Sequence, residues 1–362
     1  ANIITISRRG FLKRTPTAEF RTQGRGGKGL KGMETREAQS EEEESDFVEQ
    51  LFSATAHDYL MFFTDTGRVY VERVFQIPEM ARTSKGRSIK NLLSLRPEEK
   101  IATVLRVQAV MDGNDDKTWE QDDAYVLFAT RDGTVKKTKL ADFKNHRKDG
   151  IIAIRIDEGN ELIVARLTNG QDEICLVTRE GYCVRCSETT IRPMGRPSRG
   201  VAGIRPRGDD YVVGAAVVDN ESKFLIASEK GVGKRTPFDD YSTKGRGGKG
   251  VITLKVTEKT GKVAGAIVIG DDEDVMLMTS SGQSVRIGAD SISVLSRAAQ
   301  GVRLMRLKDG ESIQDVTRVA KDEEEEGEEE GVEAAGTDVV EPLAGEGEGD
   351  AEASGDADGS GE

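Results

Sequence analysis

The sequence predicts an all-β fold: six propeller-like units of four short antiparallel strands, followed by a disordered acidic tail. Three observations carry this. A glycine recurs about every 50 residues, at Gly150, Gly200, Gly250 and Gly301, each followed by an aliphatic residue (Ile151, Val201, Val251, Val302). A second glycine lies upstream of each, at Gly133, Gly181, Gly231 and Gly282, and the same pair opens the chain as Gly10 and Gly29. Short β-rich runs flank these glycines. A period of this length marks a repeat architecture. A four-strand unit too small to bury its own core must stack on its neighbours.

Unit 1 (about residues 1–54) reads as a strand from Ile3 to Ser7, a turn at Gly10 and a basic loop ending at Gly29-Leu30, with an acidic insertion from Glu37 to Glu49. Unit 2 (55–110) reads as Tyr59 to Phe63, a turn at Gly67, a loop from Arg82 to Arg87 and Ile89, with Ser88 standing where the second glycine belongs. A second insertion, Met111 to Asp123, carries Trp119, the only tryptophan. Unit 3 (122–168) gives the pattern in full. Tyr125 to Thr130 is β-rich, Arg131-Asp-Gly133 is a hairpin signal because glycine accepts φ > 0, and Thr134 to Leu140 returns antiparallel. The loop Asn145 to Gly150 leads to a third strand, Ile151 to Ile156, then a turn and a fourth, Leu162 to Leu167.

Unit 4 (169–218) repeats this with Ile174 to Thr178, Gly181, the loop Arg192 to Gly200, Val201, and Tyr211 to Val218. Unit 5 (219–269) has Phe224 to Ser228, Gly231, the loop Lys244 to Gly250, Val251 to Val256 and Val263 to Ile269. Unit 6 (270–320) has Val275 to Thr279, Gly282 and Gly301 to Met305. Residues 321–362 are rich in Glu, Asp, Gly and Ala and hold no aromatic residue. They cannot bury enough apolar surface to offset their ordering entropy and are expected to be disordered.

The net charge of −13 is unevenly placed. Residues 321–362 hold 18 Asp/Glu and one Lys, so residues 1–320 carry 51 Lys/Arg against 47 Asp/Glu, a net of +4. A basic body with an acidic tail points to nucleic-acid or membrane partners. No run reaches the roughly 20 apolar residues of a spanning helix, and the start has neither a basic n-region nor a long apolar h-region. A chain that begins without Met on a strand-like run reads as a processed piece of a longer one. Cys183 and Cys186 form a Cys-x-x-Cys pair, but in a strand such neighbours point to opposite faces, which disfavours a shared metal. They read as small apolar fillers in a reducing cytoplasm.

Catalytic patterns fare poorly. Gly24 to Gly29 and Gly245 to Gly250 match G-x-G-x-x-G, yet each lies between strands, whereas a dinucleotide site needs the motif between a strand and a helix. Gly233-Lys234 and Gly248-Lys249 are followed by Arg235 and Gly250, not the Ser or Thr of a P-loop. With only His57 and His146, no Ser/His/Asp set is plausible.

The loop before each third strand is basic instead. Unit 1 supplies Arg21, Arg25, Lys28 and Lys31; unit 2 Arg82, Lys85, Arg87 and Lys90; unit 3 Lys144, Arg147 and Lys148. Unit 4 supplies Arg192, Arg196 and Arg199; unit 5 Lys244, Arg246 and Lys249; unit 6 Arg297, then Arg303. Glycines beside cations let the backbone approach a phosphate and offer it N–H groups. One such loop says little, because any solvated loop can hold Lys and Arg. Recurrence at one register predicts a positive belt along a rim.

Gln23-Gly-Arg-Gly-Gly-Lys-Gly29 resembles the GyrA box of the DNA gyrase A subunit, usually Gln-Arg-Arg-Gly-Gly-Lys-Gly, with Gly24 departing at the second position and Gln23, Arg25, Gly26, Gly27, Lys28 and Gly29 in register. Lys244 to Gly250 is similar to a degenerate copy. The resemblance covers residues 1–320. It implies a six-bladed β-pinwheel with strand exchange between blades that wraps double-stranded DNA on its rim in a positive sense, and Gln23 to Gly29 is expected to anchor or close the wrap. It also implies no cofactor in this domain, with ATP and Mg2+ used by the holoenzyme. The catalytic tyrosine would lie in the N-terminal part of the same polypeptide and the ATPase in the gyrase B subunit, within an A2B2 heterotetramer in the cytoplasm. Two rivals stand beside it: the C-terminal DNA-binding domain of the topoisomerase IV A subunit, which normally lacks the box, and a protein-interaction propeller, which would not need the Arg/Lys/Gly recurrence.

Overall fold

The computed structural model describes residues 2–16, 46, 48–81, 83–280 and 284–319. Unit 1 contributes β1 (Asn2–Ser7), β2 (Phe11–Pro16) and β3 (Val48–Ala54). Unit 2 contributes β4 (Tyr59–Thr64), β5 (Arg68–Arg73), β6 (Arg87–Ser88) and, after the short helix α1 (Ile89–Leu92), β7 (Ile101–Val107). The second insertion forms a small hairpin of β8 (Met111–Asp112) and β9 (Asp115–Asp116). Unit 3 follows with β10 (Tyr125–Thr130), β11 (Thr134–Lys139), β12 (Ile151–Ile152) and β13 (Leu162–Thr168). Unit 4 has β14 (Glu173–Thr178), β15 (Tyr182–Ser187), β16 (Val201–Ala202) and β17 (Val212–Val217). Unit 5 has β18 (Lys223–Ser228), β19 (Val232–Pro237), β20 (Val251–Ile252) and β21 (Val263–Ile269). Unit 6 has β22 (Asp274–Thr279), β23 (Ser284–Gly288), β24 (Val302–Arg303) and β25 (Ile313–Val319).

These strands form six antiparallel blades: β3-β1-β2-β6, β7-β4-β5-β12, β13-β10-β11-β16, β17-β14-β15-β20, β21-β18-β19-β24 and, among the described residues, β25-β22-β23. The fourth strand of each unit is innermost. β7, β13, β17, β21 and β25 pack in succession, and β25 packs against β3 of the first blade. An ion pair between Arg8 and Asp315 joins the same two blades. The fold is therefore a closed six-bladed propeller.

The third strand departs from the sequence reading. The sequence predicts a six-residue strand from Ile151 to Ile156 that completes its own unit; the observed β12 has two residues and pairs with β5 of the preceding unit, Ile151 opposite Val69. β6, β16, β20 and β24 likewise complete the blade before their own. This is the strand exchange that the resemblance implied.

Exchange explains both glycines of the repeat. Gly133 has φ +89°, and a Cβ there would lie 2.4 Å from the carbonyl oxygen of Ile204 in the next unit. Its own carbonyl accepts N–H bonds from Gly203 and Ile204. Gly200 has φ +105°, and its Cβ would lie 2.4 Å from the Val135 carbonyl oxygen. The two glycines thus sit on opposite sides of one crossing between units, where neither the dihedrals nor the space admit a side chain. The first crossing keeps the positive dihedrals two residues earlier than expected: Leu12 pairs with Arg87, so Gly86, with φ +85°, takes the place assigned to Ser88, while a Cβ on Gly10 would meet nothing within 4 Å among the described residues.

A hydroxyl recurs three residues before each hairpin glycine, at Ser7, Thr64, Thr130, Thr178, Ser228 and Thr279, where the register of every first strand shifts against its fourth. Ser7, Thr64, Thr178 and Ser228 accept the N–H of the residue after that glycine and fasten the turn. The turns also bind units together. Arg131 N–H donates to Glu161 O of its own unit, and Arg131 O accepts from Val212 of the next, at 2.9 and 2.8 Å. Asp65, Arg179 and Glu229 repeat this bridge.

The apolar cores lie between blades. Met61 and Phe63 of blade 2 meet Phe128 and Phe143 of unit 3, and Leu225 of blade 5 meets Leu277 and Val316 of blade 6. Burial at junctions rather than within blades is the packing a four-stranded unit needs. The second insertion belongs to one such junction: Trp119 is buried, 4.9 Å from the Tyr59 ring and 5.4 Å from His146. Cys183 and Cys186 face different cores, and burial pushes both thiols up, Cys186 to about 12.

Candidate nucleic-acid interface

Each exchanged strand is the outermost of its blade, so the loop before it lies on the rim, laid over the preceding unit. The main-chain N–H groups of Met80, Met194, Lys244 and Leu295 donate to Arg14, Lys137, Arg185 and Arg235, all on second strands of the previous blade. The same repetition that sets the period therefore sets the loops at equivalent places.

The described rim residues expected from sequence divide into four kinds. Arg87, Arg147, Lys148, Arg192, Lys244 and Lys249 are exposed and have no ion pair among the described residues. Lys85 is half-buried, its ammonium 4.0 Å over the Phe11 ring. Two cations are partly neutralised: Lys144 pairs with Glu120 at 3.0 Å, and Arg199 with Asp157 at 2.8 Å and Asp132 at 3.5 Å. Three arginines turn back to the rim. Arg196 donates to Ile152 O at 2.9 Å, Arg246 to Thr190 O and Ala202 O at 3.0 and 3.2 Å, and Arg297 to Ile252 O. Arg21, Lys31, Arg82 and the box Gln23 to Gly29 lie outside the described residues, as does the tail.

The copy of the box in unit 5 is described. Residues 235–250 match residues 14–29 at ten of sixteen positions, including Gly-Arg-Gly-Gly-Lys-Gly. Here Tyr241 is buried against Phe224, its hydroxyl 2.5 Å from that of Thr253. Arg185 of blade 4, ion-paired with Glu173, donates to Phe238 O and Tyr241 O at 2.7 and 3.3 Å and fixes the loop entrance. Gly247 N–H donates to Gly203 O and Gly248 O accepts from Arg205. Lys244 between these anchors and Lys249 just after them are exposed. The arrangement suits phosphate contact along a backbone.

Sequence reasoning missed a second set of cations. Lys13, Lys136 and Lys234 are wholly buried, at the third position after a hairpin glycine. Strand alternation assigns that position to the core, where lysine is not expected. The Gly-x-x-Lys spacing in units 1, 3 and 5 was the available signal.

A closed, strand-exchanged propeller with cationic loops laid along its rim defines a β-propeller whose chemistry sits at the blade edges. The family model of the DNA gyrase C-terminal domain, beta-propeller, matches residues 1–40, 58–108, 124–169, 172–219, 222–269 and 273–320, one stretch per unit. The chain belongs to this family. The DNA gyrase A subunit of Staphylococcus epidermidis is 40% identical over 324 residues, covering 89% of this chain and 34% of that protein. The DNA gyrase A subunit of Mycolicibacterium smegmatis is 38% identical over 324 residues, covering 89% and 36%. The chain thus spans about a third of these relatives' length. A solved DNA gyrase A C-terminal domain superposes with a TM-score of 0.63 at 25% identity, over 88% of this chain and 99% of that one. The C-terminal domain of DNA topoisomerase IV shares the fold, with a TM-score of 0.73 at 22% identity over 88% and 93%. Among the described residues no helix is long and apolar enough to cross a membrane.

Proposed function

We propose that this chain wraps duplex DNA around its rim as the C-terminal part of a gyrase A subunit, so that a cytoplasmic type II topoisomerase introduces negative supercoils. The observation that carries this reading is the set of exposed, unpaired cations on rim loops at equivalent places in successive units. Bending 20–30 base pairs by 40–90° costs roughly 1–6 kcal/mol, and a wrap repeats that cost. Many dispersed phosphate contacts, each releasing counterions, supply the compensation. They carry no sequence information, so binding is expected to be indifferent to base sequence.

ATP and Mg2+ chemistry and the catalytic tyrosine belong, on this proposal, to the remainder of the gyrase A polypeptide and to its B subunit partner in an A2B2 assembly. Gln23 to Gly29 anchors the wrap. Replacing that box with alanines should abolish supercoiling by the assembled enzyme while sparing relaxation; persistent supercoiling refutes the anchor. The domain's own test is a nicked plasmid sealed by ligase in its presence. A positive shift in linking number supports wrapping, and an unchanged distribution excludes it. The box favours this reading over a topoisomerase IV domain, and the recurring cations favour it over a protein-interaction propeller.

A further inference from the structure

Three lysines recur at one register on alternate blades. Each is fully buried on a second strand, and each is aimed under the rim loop of the following unit. Lys13 Nζ donates to the carbonyls of Ala81 and Ser84 in the unit 2 loop, at 3.1 and 3.0 Å. Lys136 Nζ donates to Arg196 O in the unit 4 loop, and to Ala153 O at 2.7 Å. Lys234 Nζ donates to Ser296, Arg297 and Ala299 in the unit 6 loop, to Ser296 at 2.8 Å and Ala299 at 2.6 Å. Blades 2 and 4 carry Tyr70 and Val184 at the same place, and Tyr70 donates to Glu99 instead.

A buried ammonium is costly unless its protons are satisfied. Among the described residues no carboxylate lies within ion-pair distance of Lys136 or Lys234; loop carbonyls do the work. The consequence for a polyanion is twofold. Carbonyl oxygens drawn to the ammonium have their negative dipole ends turned inward, away from an approaching phosphate. The loop's outer surface keeps its cationic side chains, and one positive charge stands directly behind it in a medium that screens poorly.

We propose that Lys13, Lys136 and Lys234 are positioning residues for duplex DNA: each holds the rim loop of the next unit with carbonyls inward, and each adds a charge behind the surface that the phosphates meet. The proposal rests on the DNA-wrapping reading. Its pH signature follows from surroundings. Burial first, with the Arg196 charge second, pushes Lys136 down to about 7 against the opposing pull of Asp142. Burial, then Arg297, pushes Lys234 down to about 8 against Asp240. Near pH 8 both ammonium groups are partly deprotonated, and the neutral amines still hold two carbonyls each. Phosphates laid on the loops favour the charged form, so binding takes up protons.

The test uses Lys136→Met and Lys234→Met, singly and together, in the whole chain. Amides of residues 195–200 and 296–301 should lose protection from hydrogen exchange by at least about tenfold in the matching variant, with those of Leu176 and Leu225 unchanged. Calorimetric titration with random-sequence duplex at pH 8, in buffers of different ionisation enthalpy, should register proton uptake for the unmutated chain and little for the double variant. Unchanged loop protection, or equal uptake in both proteins, overturns the proposal. Should the variants not fold, the unmutated chain decides: DNA binding at pH 8 without proton uptake overturns it. A chain that binds no DNA at all defeats the wrapping reading instead, and loop protection in the variants then still judges the lysines.

Discussion

Cations of the rim loops do different jobs although each carries the same charge in the sequence. Arg196, Arg246 and Arg297 each stand four residues before a loop glycine, and each donates to the carbonyl of the second residue of the preceding rim strand, Ile152, Ala202 or Ile252. An outermost strand presents unpaired carbonyls along its free edge, and the planar guanidinium covers one while spanning two units. Lys249, one residue before its glycine, has no such partner, whereas Arg199 at the same register is held by Asp157 and Asp132. Lys249→Ala should therefore reduce the slope of log affinity against log salt by about 0.9, and Arg199→Ala by clearly less. Titrations over a salt series check this; equal changes would show that the carboxylates do not neutralise Arg199. A sequence gives the charge at a position but not its neighbour across a fold, so the candidate cations were legible and their division was not.

At the scale of the element, the crossing between units is the critical feature. The period places a strand after every second glycine but says nothing about which sheet it completes. Two residues of exchanged strand are enough because the glycine pair lets the backbones nearly touch. Gly133→Ala forces an L-residue into positive φ, about 1–2 kcal/mol, and drives a methyl into the Ile204 carbonyl, for a total of roughly 2–5 kcal/mol once overpacking is added. Gly159→Ala is the control: its φ is +80° but nothing lies within 4 Å of the added carbon, so only the strain remains. Thermal melts should place Gly133→Ala below Gly159→Ala by several degrees. Equal melting points would mean that the crossing relaxes freely. The misplacement of the unit 2 glycine at Ser88 has the same origin: the spacing of the glycines alone cannot fix register, and only the pairing of Leu12 with Arg87 identifies Gly86.

For the whole molecule, closure sets the described rim loops of units 2 to 6 at equivalent places around one ring. The last blade meets the first through β25 and β3 and through Arg8 and Asp315, so the inner strands close the ring. The linking-number measurement belongs at this scale, because a change in DNA writhe requires contacts from several blades at once and cannot come from any single loop. The glycine period, the alternation of apolar residues and the recurrence of Arg and Lys determined the blade count, the all-β class and the candidate rim, since each depends only on local spacing. Which sheet each third strand joins, which cations stay free, that Trp119 of an apparent insertion belongs to a core, and that three lysines lie buried beneath the loops were decided by tertiary structure. Those are contacts between residues of different units, and no local periodicity encodes them.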